Sequence, residues 1–382
     1  MSPGEEVDLS VILVNYNVAR LVLEAVASLE RQKFAGRDGG DGRLEILVID
    51  NASSPDDIAC LDRLPSSVLQ LRNDRNLGFA AANNRGIERA TGRYVCFLNP
   101  DTKVLDGALD SLLQYLYRYR EVGAVGPRIW ADEERTLLLP PGDPPTLSFL
   151  LARIAGEAVP AVRRRRSRAW HRRALAFWRA QAPFRVPMLS GACILTSRAL
   201  VDRVGGFDAG YFLYYEDADW CRRVRRAEYS LAVVPDAEIV HYYNQSARAD
   251  PQAALGYAMR SEGRFVRAHY GLPGTLIYRA ARAVSNRLAR LHTSSVPPGV
   301  IDLGRQVEPP QFRLTEGDLP RELMIEIGYD WLFLPSVAAF IRAPEFDLSP
   351  TVWDRIPPGR YYARMIEPET LRPLALWSWE KG

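Results

Sequence analysis

The first 130 residues alternate short apolar runs with longer segments in which apolar residues recur at helical spacing. The apolar runs predict buried strands, and the segments between them predict helices that cover the strands. This order favours a mostly parallel sheet, in which ligands bind at the carboxyl ends of the strands. The predicted strands are Leu9 to Asn15, Leu44 to Ile49, Val68 to Leu71, Tyr94 to Leu98 and Val122 to Val125, and the predicted helices are Leu21 to Leu29, Ala80 to Ala90 and Leu109 to Tyr119.

The alternation stops near residue 131, where a segment rich in proline and then in arginine begins. The later pattern predicts a strand at Met188 to Thr196, a helix at Tyr215 to Trp220, strands at Ser230 to Val234 and Glu238 to Tyr242, helices at Tyr257 to His269 and Leu276 to Leu291, and a linker at Val296 to Gly299. We therefore expect an α/β domain over 8–272 with a 131–187 insertion, then a basic helix and linker over 273–299. Aromatic runs separated by proline and glycine predict a small β-rich domain over 300–382, such as a β-sandwich.

Acidic residues follow two apolar runs in this pattern. Asn99-Pro100-Asp101 comes directly after the strand that ends at Leu98, and Tyr215 to Trp220, with the sequence YEDADW, follows the aromatic run Tyr211 to Tyr214, which we interpret as a strand. Carboxylates at the ends of buried strands cost desolvation energy unless a cationic or protic group pairs with them. Both segments therefore indicate a functional site.

Polar residues also end the first two predicted strands. Asn15, Tyr16 and Asn17 end one strand, and Asp50 ends its expected neighbour. An Asx turn or a helix cap would usually explain a lone aspartate. The neighbouring polar and aromatic side chains favour a second explanation, in which Asp50 accepts an N–H from a nucleobase and the aromatic face suits a pyrimidine ring.

Asn76 and Gly78 lie where a loop enters a predicted helix. Glycine allows close backbone approach, and a helix N-terminus can receive a diphosphate. The segment has neither the P-loop nor the GxGxxG motif. Helix–sheet packing explains it equally well.

Asp101 is a candidate metal ligand. A diphosphate site without a P-loop lysine needs another group to neutralise charge, and a carboxylate-bound Mg²⁺ or Mn²⁺ supplies it. Asn99 stands where a DxD pair would have its first acid, which leaves one firm carboxylate. His241, at the end of a predicted strand, completes the set if the metal is Mn²⁺, although a satisfied core histidine is an equally good interpretation.

Glu216, Asp217 and Asp219 form the third candidate group. On a helix, Glu216 and Asp219 share a face and Asp217 points elsewhere. Favourable interaction with the helix dipole explains one or two such acids. A general base for a hydroxyl acceptor needs a carboxylate that faces a cleft, and we assign this role to Asp217.

Composition and charge narrow the class of protein. The 382 residues have a formal net charge of +3, which is too small to indicate nucleic acid binding. The four cysteines, with no CxxC pair, indicate free thiols in a reducing compartment. No apolar stretch reaches the ~20 residues that span a bilayer, and the N-terminus lacks signal-peptide features. We therefore expect a cytoplasmic protein, with membrane contact only at its surface.

Seven motifs occur in one order, and together they resemble family 2 glycosyltransferases, especially the rhamnosyltransferase-like branch. The resemblance covers about residues 8–270. The motifs, with the histidine that follows them, are Val11 to Asn17, Val48 to Ser53, Asn76 to Ala80, Phe97 to Asp101, Ser190 to Ala192, Gly205 to Asp208, Tyr215 to Asp219 and His241.

The resemblance implies a GT-A fold, a nucleotide-sugar donor linked to dTDP or UDP, a divalent metal and inversion at the anomeric carbon. It places Asp50 at the base, Asp101 at the metal and diphosphate, with His241 nearby, and Asp217 as catalytic base. Glu216 and Asp219 would position the sugars, and the remaining donor-site candidates are Asn15, Tyr16, Asn17, Asn76, Gly78, Asn99 and Gly191.

The resulting hypothesis is an inverting glycosyltransferase of cell-surface polysaccharide synthesis that moves a sugar, rhamnose being one candidate, to a saccharide hydroxyl. Members of this branch often use polyprenyl-diphosphate-linked acceptors. The basic block at Arg163 to Arg173 and the arginines at Arg279 to Arg290 suit an anionic membrane surface, although a solvated basic face explains them as well. The alternative function is a degenerate nucleotide-sugar-binding or scaffold protein. The C-terminal aromatics suit core packing better than sugar stacking.

Overall fold

The computed structural model describes residues 6–242, 251–289, 299–314 and 320–382. Most of the expected linker at Val296 to Gly299, and the end of the helix expected at Leu276 to Leu291, lie outside these ranges. The chain divides into two compact units. The first comprises 1–129, 142–144 and 180–271, and the second comprises 130–141, 145–179 and 272–382.

The secondary structure of the first 130 residues follows the predicted alternation. In chain order the elements as far as residue 289 are β1 (Leu9–Asn15), α1 (Ala19–Glu30), β2 (Leu44–Asp50), α2 (Pro55–Leu61), β3 (Leu69–Arg72), α3 (Phe79–Arg89), β4 (Tyr94–Leu98), β5 (Thr102–Val104), α4 (Ala108–Arg118), β6 (Val122–Trp130), α5 (Leu147–Ala158), α6 (Pro160–Arg179), β7 (Phe184–Val186), β8 (Cys193–Ser197), α7 (Arg198–Val204), α8 (Glu216–Arg226), β9 (Ser230–His241) and α9 (Pro251–Ala289). Beyond the first 130 residues, α5, α6, β7 and α7 were not predicted.

The first unit contains a nine-stranded sheet with the order β3-β2-β1-β4-β8-β6-β9-β5, and β7 pairs with β9. Strands β3, β2, β1 and β4 are parallel, whereas β8 runs antiparallel to β4 and β5 antiparallel to β9. All seven residues of β1 are buried, as expected for a central strand covered on both faces. This large mixed sheet confirms the predicted α/β class, but the sheet is less parallel than the alternation predicts.

Three local expectations for the first unit were wrong. Residues 211–214 form no strand: bends occupy 212–215, where Tyr214 and Tyr215 have positive φ angles of 67° and 70°. Residues 230–241 form one strand, β9, in place of two. The strand expected from Met188 begins only at Cys193, which leaves Ser190 to Ala192 in a loop.

The second unit contains a five-stranded sheet with the order β10-β16-β15-β12-β13 and a two-stranded sheet of β11 and β14. Its presence confirms the predicted β-rich C-terminal region. The elements after α9 are β10 (Ile301–Gln306), β11 (Gln311–Arg313), β12 (Leu323–Gly328), β13 (Val337–Ile341), β14 (Glu345–Asp347), α10 (Pro350–Arg355), β15 (Gly359–Glu367) and β16 (Arg372–Lys381).

The arginine-rich segment belongs to this second unit, whereas its place in the sequence predicts an insertion in the first. The reason is a buried face on α6, where Trp170 and Trp178 cluster with Met324 of β12 and Ile366 of β15. The other face of the same sheet packs on a separate aromatic cluster that includes Trp377. Helix α6 therefore forms one side of the C-terminal core.

A buried ionic network joins α6 to the five-stranded sheet. Glu326 has no exposed surface, and its Oε1 lies 2.9 Å from Nε2 of His171. Its Oε2 accepts a hydrogen bond from Nε of Arg364 over 2.7 Å and forms an ion pair with Nη2 of the same residue at 2.6 Å. Burial raises the pKa of Glu326, but Arg364 and His171 outweigh burial and bring the pKa below its ordinary value of 4.5. The carboxylate is therefore charged in the folded protein.

Helix α9 bends at Gly271, whose φ of 64° and ψ of −161° are not helical. The residues that follow the bend, 272–289, belong to the second unit. Among the described helices, none combines the length and the apolar content needed to cross a bilayer.

Replacing Glu326 by Gln should lower the free energy of unfolding of the second unit by about 3 kcal/mol or more, because Arg364 loses its buried counter-charge. Since the folded pKa is lowered, the wild-type contribution is complete above pH 4.5 and disappears as the pH falls towards the folded pKa. The variant should lack this acid-sensitive part. Urea unfolding at pH 7 and pH 4, followed by tryptophan fluorescence, measures both effects.

Seven of the eight tryptophans lie in the second unit, so their fluorescence reports its unfolding. Glu322→Gln is the matched control. Glu322 directly precedes β12 and forms an ion pair at the surface with Arg179, the last residue of α6. The control should lose less than about 1 kcal/mol. Equal losses in the two variants would contradict the role assigned to the buried network.

Candidate active site

A cavity of about 510 Å³ lies in the first unit, beside the carboxyl ends of β1 and β4. Its wall contains ten of the thirteen candidate residues from the sequence: Tyr16, Asn17, Asn76, Gly78, Asn99, Asp101, Gly191, Glu216, Asp217 and His241. The other three, Asn15, Asp50 and Asp219, do not line it. The structure therefore brings residues from both acidic segments to one place.

Asn15 and Asp50 form a support behind the cavity wall. Parallel pairing of β1 with β2 sets them side by side, and Nδ2 of Asn15 donates to Oδ1 of Asp50 over 2.9 Å. The same Nδ2 lies 2.7 Å from Oδ2 of Asp57, and Oδ1 of Asp57 accepts the N–H of Ala19 at the start of α1. Sequence reasoning missed Asp57, because an acid in the first turn of a short helix is ordinary.

Tyr16 and Asn17 project from this support into the cavity wall. Tyr16 is 39% exposed and lines the cavity, so part of its side chain is accessible to a ligand. Asn17 has a φ of 58°, and its backbone N–H and side-chain oxygen bond Ser53 and Ser54. These bonds fix the loop that presents the tyrosine.

A chain of amides forms the next part of the wall. Nδ2 of Asn51 donates to Oδ1 of Asn76 over 2.7 Å, and the same oxygen accepts the N–H of Gly78 over 2.9 Å. Gly78 has a φ of 83°, and a Cβ there would lie 2.5 Å from the carbonyl oxygen of Phe212. That carbonyl accepts the N–H of Phe79 at the start of α3. Glycine is required here for contact with residue 212.

Asp101 and His241 meet because β5 pairs with β9. The pairing sets Thr102 opposite His241, and the N–H of Tyr242 donates to the carbonyl of Asp101. Oδ1 of Asp101 lies 3.1 Å from Nε2 of His241, and Nδ2 of Asn99 lies 3.3 Å from the same nitrogen. Both Asp101 and His241 are more than nine-tenths buried.

The donor chemistry of this pair fits a divalent cation. A carboxylate oxygen and an imidazole nitrogen face one cavity, and both ligand types suit Mn²⁺, while Mg²⁺ prefers the oxygen. Among residues 6–242, 251–289, 299–314 and 320–382, no cluster of three or more His, Cys, Asp or Glu side chains suits a metal. The protein would thus supply two ligands, and the others would come from substrate or water.

Glu216 and Asp217 begin α8 and have different surroundings. Oδ2 of Asp217 accepts the N–H of Gly191 over 3.0 Å, and Oδ1 accepts the N–H of Ala218 over 2.7 Å. Oε2 of Glu216 is buried without a hydrogen-bond partner among the described residues. Burial raises the pKa of both carboxyls, and the charge of Asp217 raises that of Glu216 further. Two influences therefore favour the neutral form of Glu216, whereas two N–H groups favour the charged form of Asp217.

Asp219 points away from the cavity and connects α8 to α9. Its Oδ1 lies 2.8 Å from Nε2 of His269, and its Oδ2 accepts a hydrogen bond from Nε of Arg223 over 2.8 Å. Burial raises the pKa of Asp219, but His269 and Arg223 outweigh burial and lower it. Sequence reasoning missed His269, because nothing in its helical setting distinguishes it from other polar positions.

Comparison with known proteins gives the family. The sequence model of "Glycosyl transferase family 2" matches residues 10–205, just over half of the chain. The chain is a family 2 glycosyltransferase. The matched residues include the part of the cavity wall from Val14 to Ala192, and the part from Phe212 onward lies beyond them.

A curated relative of this glycosyltransferase agrees with the predicted rhamnosyltransferase-like branch. The N-acetylglucosaminyl-diphospho-decaprenol L-rhamnosyltransferase of Mycobacterium tuberculosis is 30% identical over 224 residues, which are 56% of this chain and 71% of the relative. The predicted family resemblance is therefore confirmed.

Two solved structures are also similar to this glycosyltransferase. "GalNAc-T7 with UDP, GalNAc and Mn2+" gives a TM-score of 0.49 at 16% identity and covers 75% of this chain and 52% of that one. The mannosyltransferase PcManGT of Pyrobaculum calidifontis, "in complex with GDP-Man and Mn2+", gives a TM-score of 0.47 at 17% identity, with coverages of 77% and 78%.

Replacing Asp219 by Asn should lower the free energy of unfolding of the glycosyltransferase by about 1–3 kcal/mol, since His269 and Arg223 both lose a charged acceptor. Asp208→Asn, which removes the partner of the exposed Arg264, is the control and should cost less than about 1 kcal/mol. Urea unfolding of the two variants tests the comparison. An unchanged stability of the Asp219 variant would show that this contact does not hold α8 to α9.

Proposed function

We propose that this glycosyltransferase transfers a sugar from a nucleoside-diphosphate donor to a hydroxyl of a saccharide acceptor, with inversion at the anomeric carbon. One observation carries the proposal: Asp217 and the Asp101–His241 pair line the same cavity. Asp217 can accept a proton, and Asp101 with His241 can hold a cation. A donor and an acceptor bound in this cavity would therefore meet both.

The donor half of the site lies beside β1 and β4. Tyr16 offers a ring face to the nucleobase, and Asn17 and Asn76 offer hydrogen bonds, while Asn15 and Asp50 stabilise the loop behind them. Asp101 and His241 would hold Mg²⁺ or Mn²⁺. When bound, the metal neutralises charge on the departing nucleoside diphosphate.

The acceptor half is centred on Asp217. Two backbone N–H groups orient its carboxylate, and its raised pKa makes it a stronger base than an exposed aspartate. It removes the proton of the acceptor hydroxyl while that oxygen bonds to the anomeric carbon and the diphosphate leaves. Glu216, in its neutral form, can donate a hydrogen bond to a sugar oxygen.

The proposed biological context is cell-surface polysaccharide synthesis. The Mycobacterium tuberculosis relative is named as a rhamnosyltransferase whose acceptor is N-acetylglucosaminyl-diphospho-decaprenol. We therefore propose rhamnose, from a dTDP- or UDP-linked donor, as the first sugar to test, and a polyprenyl-diphosphate-linked saccharide as the acceptor.

A donor panel tests the function and separates it from the alternative of a degenerate sugar-nucleotide-binding protein. Purified protein is incubated with dTDP-rhamnose and UDP-sugars, with Mn²⁺ or Mg²⁺, and release of nucleoside diphosphate is measured with and without a saccharide acceptor. Acceptor-dependent release supports transfer. Donor binding by calorimetry without any release would support the degenerate protein instead.

Asp217→Asn should lower kcat by about 10²–10⁴-fold, because Asn cannot accept the proton. Donor affinity should change little. Glu216→Gln is the matched control, since Gln resembles the neutral acid, and it should retain most of the activity. The wild-type kcat/KM should fall on acidification at a pH above the ordinary aspartate value of 3.8, because the pKa of Asp217 is raised.

A Glu216→Gln variant that is as inactive as Asp217→Asn would contradict this division of roles. It would indicate that the negative charge, and hence the base, is at Glu216. Normal turnover by Asp217→Asn would remove the base assignment altogether.

Asn99→Asp should tighten Mn²⁺ binding in the presence of nucleoside diphosphate by about tenfold, because a second carboxylate faces the proposed metal. Asp101→Asn and His241→Ala should weaken it. Electron paramagnetic resonance of free Mn²⁺ measures all three without relying on turnover. Unchanged affinity in Asp101→Asn would contradict the metal assignment.

A further inference from the structure

The part of α9 after Gly271 has its apolar residues on the outside. Leu272, Leu276, Ile277 and Val284 are 56%, 57%, 51% and 57% exposed. Residues four apart lie on one side of a helix, so Leu272 and Leu276 form a row that continues through residues 280 and 284. The row is about 18 Å long at the rise of an α-helix.

The inner side of this helix is small and polar. Gly274, Thr275 and Ser285 are buried, and Oγ of Ser285 donates to the carbonyl of Ile154 in α5 over 2.8 Å. A helix on the surface of a soluble protein normally buries its apolar residues and exposes its polar ones. Here the arrangement is reversed, so packing among the described residues of the second unit does not account for the large apolar residues.

Charge on the same helix has one sign. Residues 272–289 contain Arg279, Arg282 and Arg287 and no acidic residue. Arg282 bonds Glu157 of α5 over 3.0 Å, whereas Arg279 and Arg287 are exposed on the side that carries the apolar row. Helix α6 of the same unit adds eight arginines, again without an acid.

We propose that residues 272–289 lie in the interface of an anionic lipid bilayer, with the Leu272–Val284 row among the acyl chains and Arg279 and Arg287 at the headgroups. An apolar face that carries arginine is the pattern of an interfacial helix, and arginines near an anionic leaflet add attraction. A second copy of the chain fits less well, because a symmetric contact would place arginines against arginines.

This inference extends the proposed lipid-linked acceptor by assigning the surface that brings the enzyme to it, but it does not depend on the transfer chemistry. Its test therefore measures binding and not turnover. The full chain is sedimented with vesicles of phosphatidylcholine alone and of phosphatidylcholine with phosphatidylglycerol.

Wild-type protein should bind the anionic vesicles, and Leu276→Glu/Val284→Glu should lower the partition coefficient by at least about tenfold. Val307→Glu is the matched control: Val307 is an apolar residue of the same unit, 81% exposed and outside the helix. The control should bind like wild type. Circular dichroism checks that each variant is folded.

Absence of wild-type binding to anionic vesicles would overturn the proposal, as would equal binding by the double variant. A dimer in analytical ultracentrifugation that the double variant converts to monomer, without vesicle binding, would assign the row to a second copy instead. Nucleoside diphosphate release with a soluble saccharide acceptor should be unchanged in the double variant. Loss of vesicle binding with retained release therefore separates this inference from the proposed function.

Discussion

Desolvation of carboxylates is the constraint on which the first unit depends. Its acids end β2 or begin α8, in buried or half-buried positions where an uncompensated negative charge is costly. Each acid meets the cost with different partners. Asp50 has the amide of Asn15, Asp219 has a guanidinium and an imidazole, and Asp217 has two backbone N–H groups. Among the described residues Glu216 has none at Oε2, and burial raises its pKa, which favours the neutral acid.

This difference in partners distinguishes the acids that stabilise the fold from the acid that can act as a base. A carboxylate fixed by cationic side chains has a lowered pKa and is a poor base, as Asp219 illustrates. Asp217 is held by backbone N–H groups instead, and burial raises its pKa, which makes it a stronger base. Sequence spacing groups Glu216, Asp217 and Asp219 together, but their surroundings divide them into three states.

The sequence predicted most of the first unit because its strands are continuous apolar runs between helices of regular period. The elements it missed depend on long-range contacts. β5 has only three residues and forms by pairing with β9, which lies more than a hundred residues away. That pairing is what sets His241 beside Asp101. His269 and Asp57 were missed for the same reason, since each acquires its role from a partner on another element.

The Arg-rich segment shows the same limit in the second unit. Its composition predicts a solvated basic region, and several of its arginines are indeed exposed. The buried face of α6 repeats at residues 167, 170, 171, 174 and 178, a helical spacing that the dense arginines conceal. The local sequence does not show which core this face joins, because its partners in β12 and β15 follow only about 150 residues or more later.

The cost of desolvating carboxylates also explains why position 99 is an asparagine and not an aspartate. An aspartate there would place another negative charge in a cavity that already holds Asp101 and Asp217, and like charges raise each other's pKa. The neutral amide avoids this repulsion while no donor is bound, and its Nδ2 contacts His241. Two protein ligands alone make a weak metal site, so diphosphate oxygens must supply much of the coordination. We therefore expect metal and donor to bind cooperatively, with the metal retained only while the diphosphate is present.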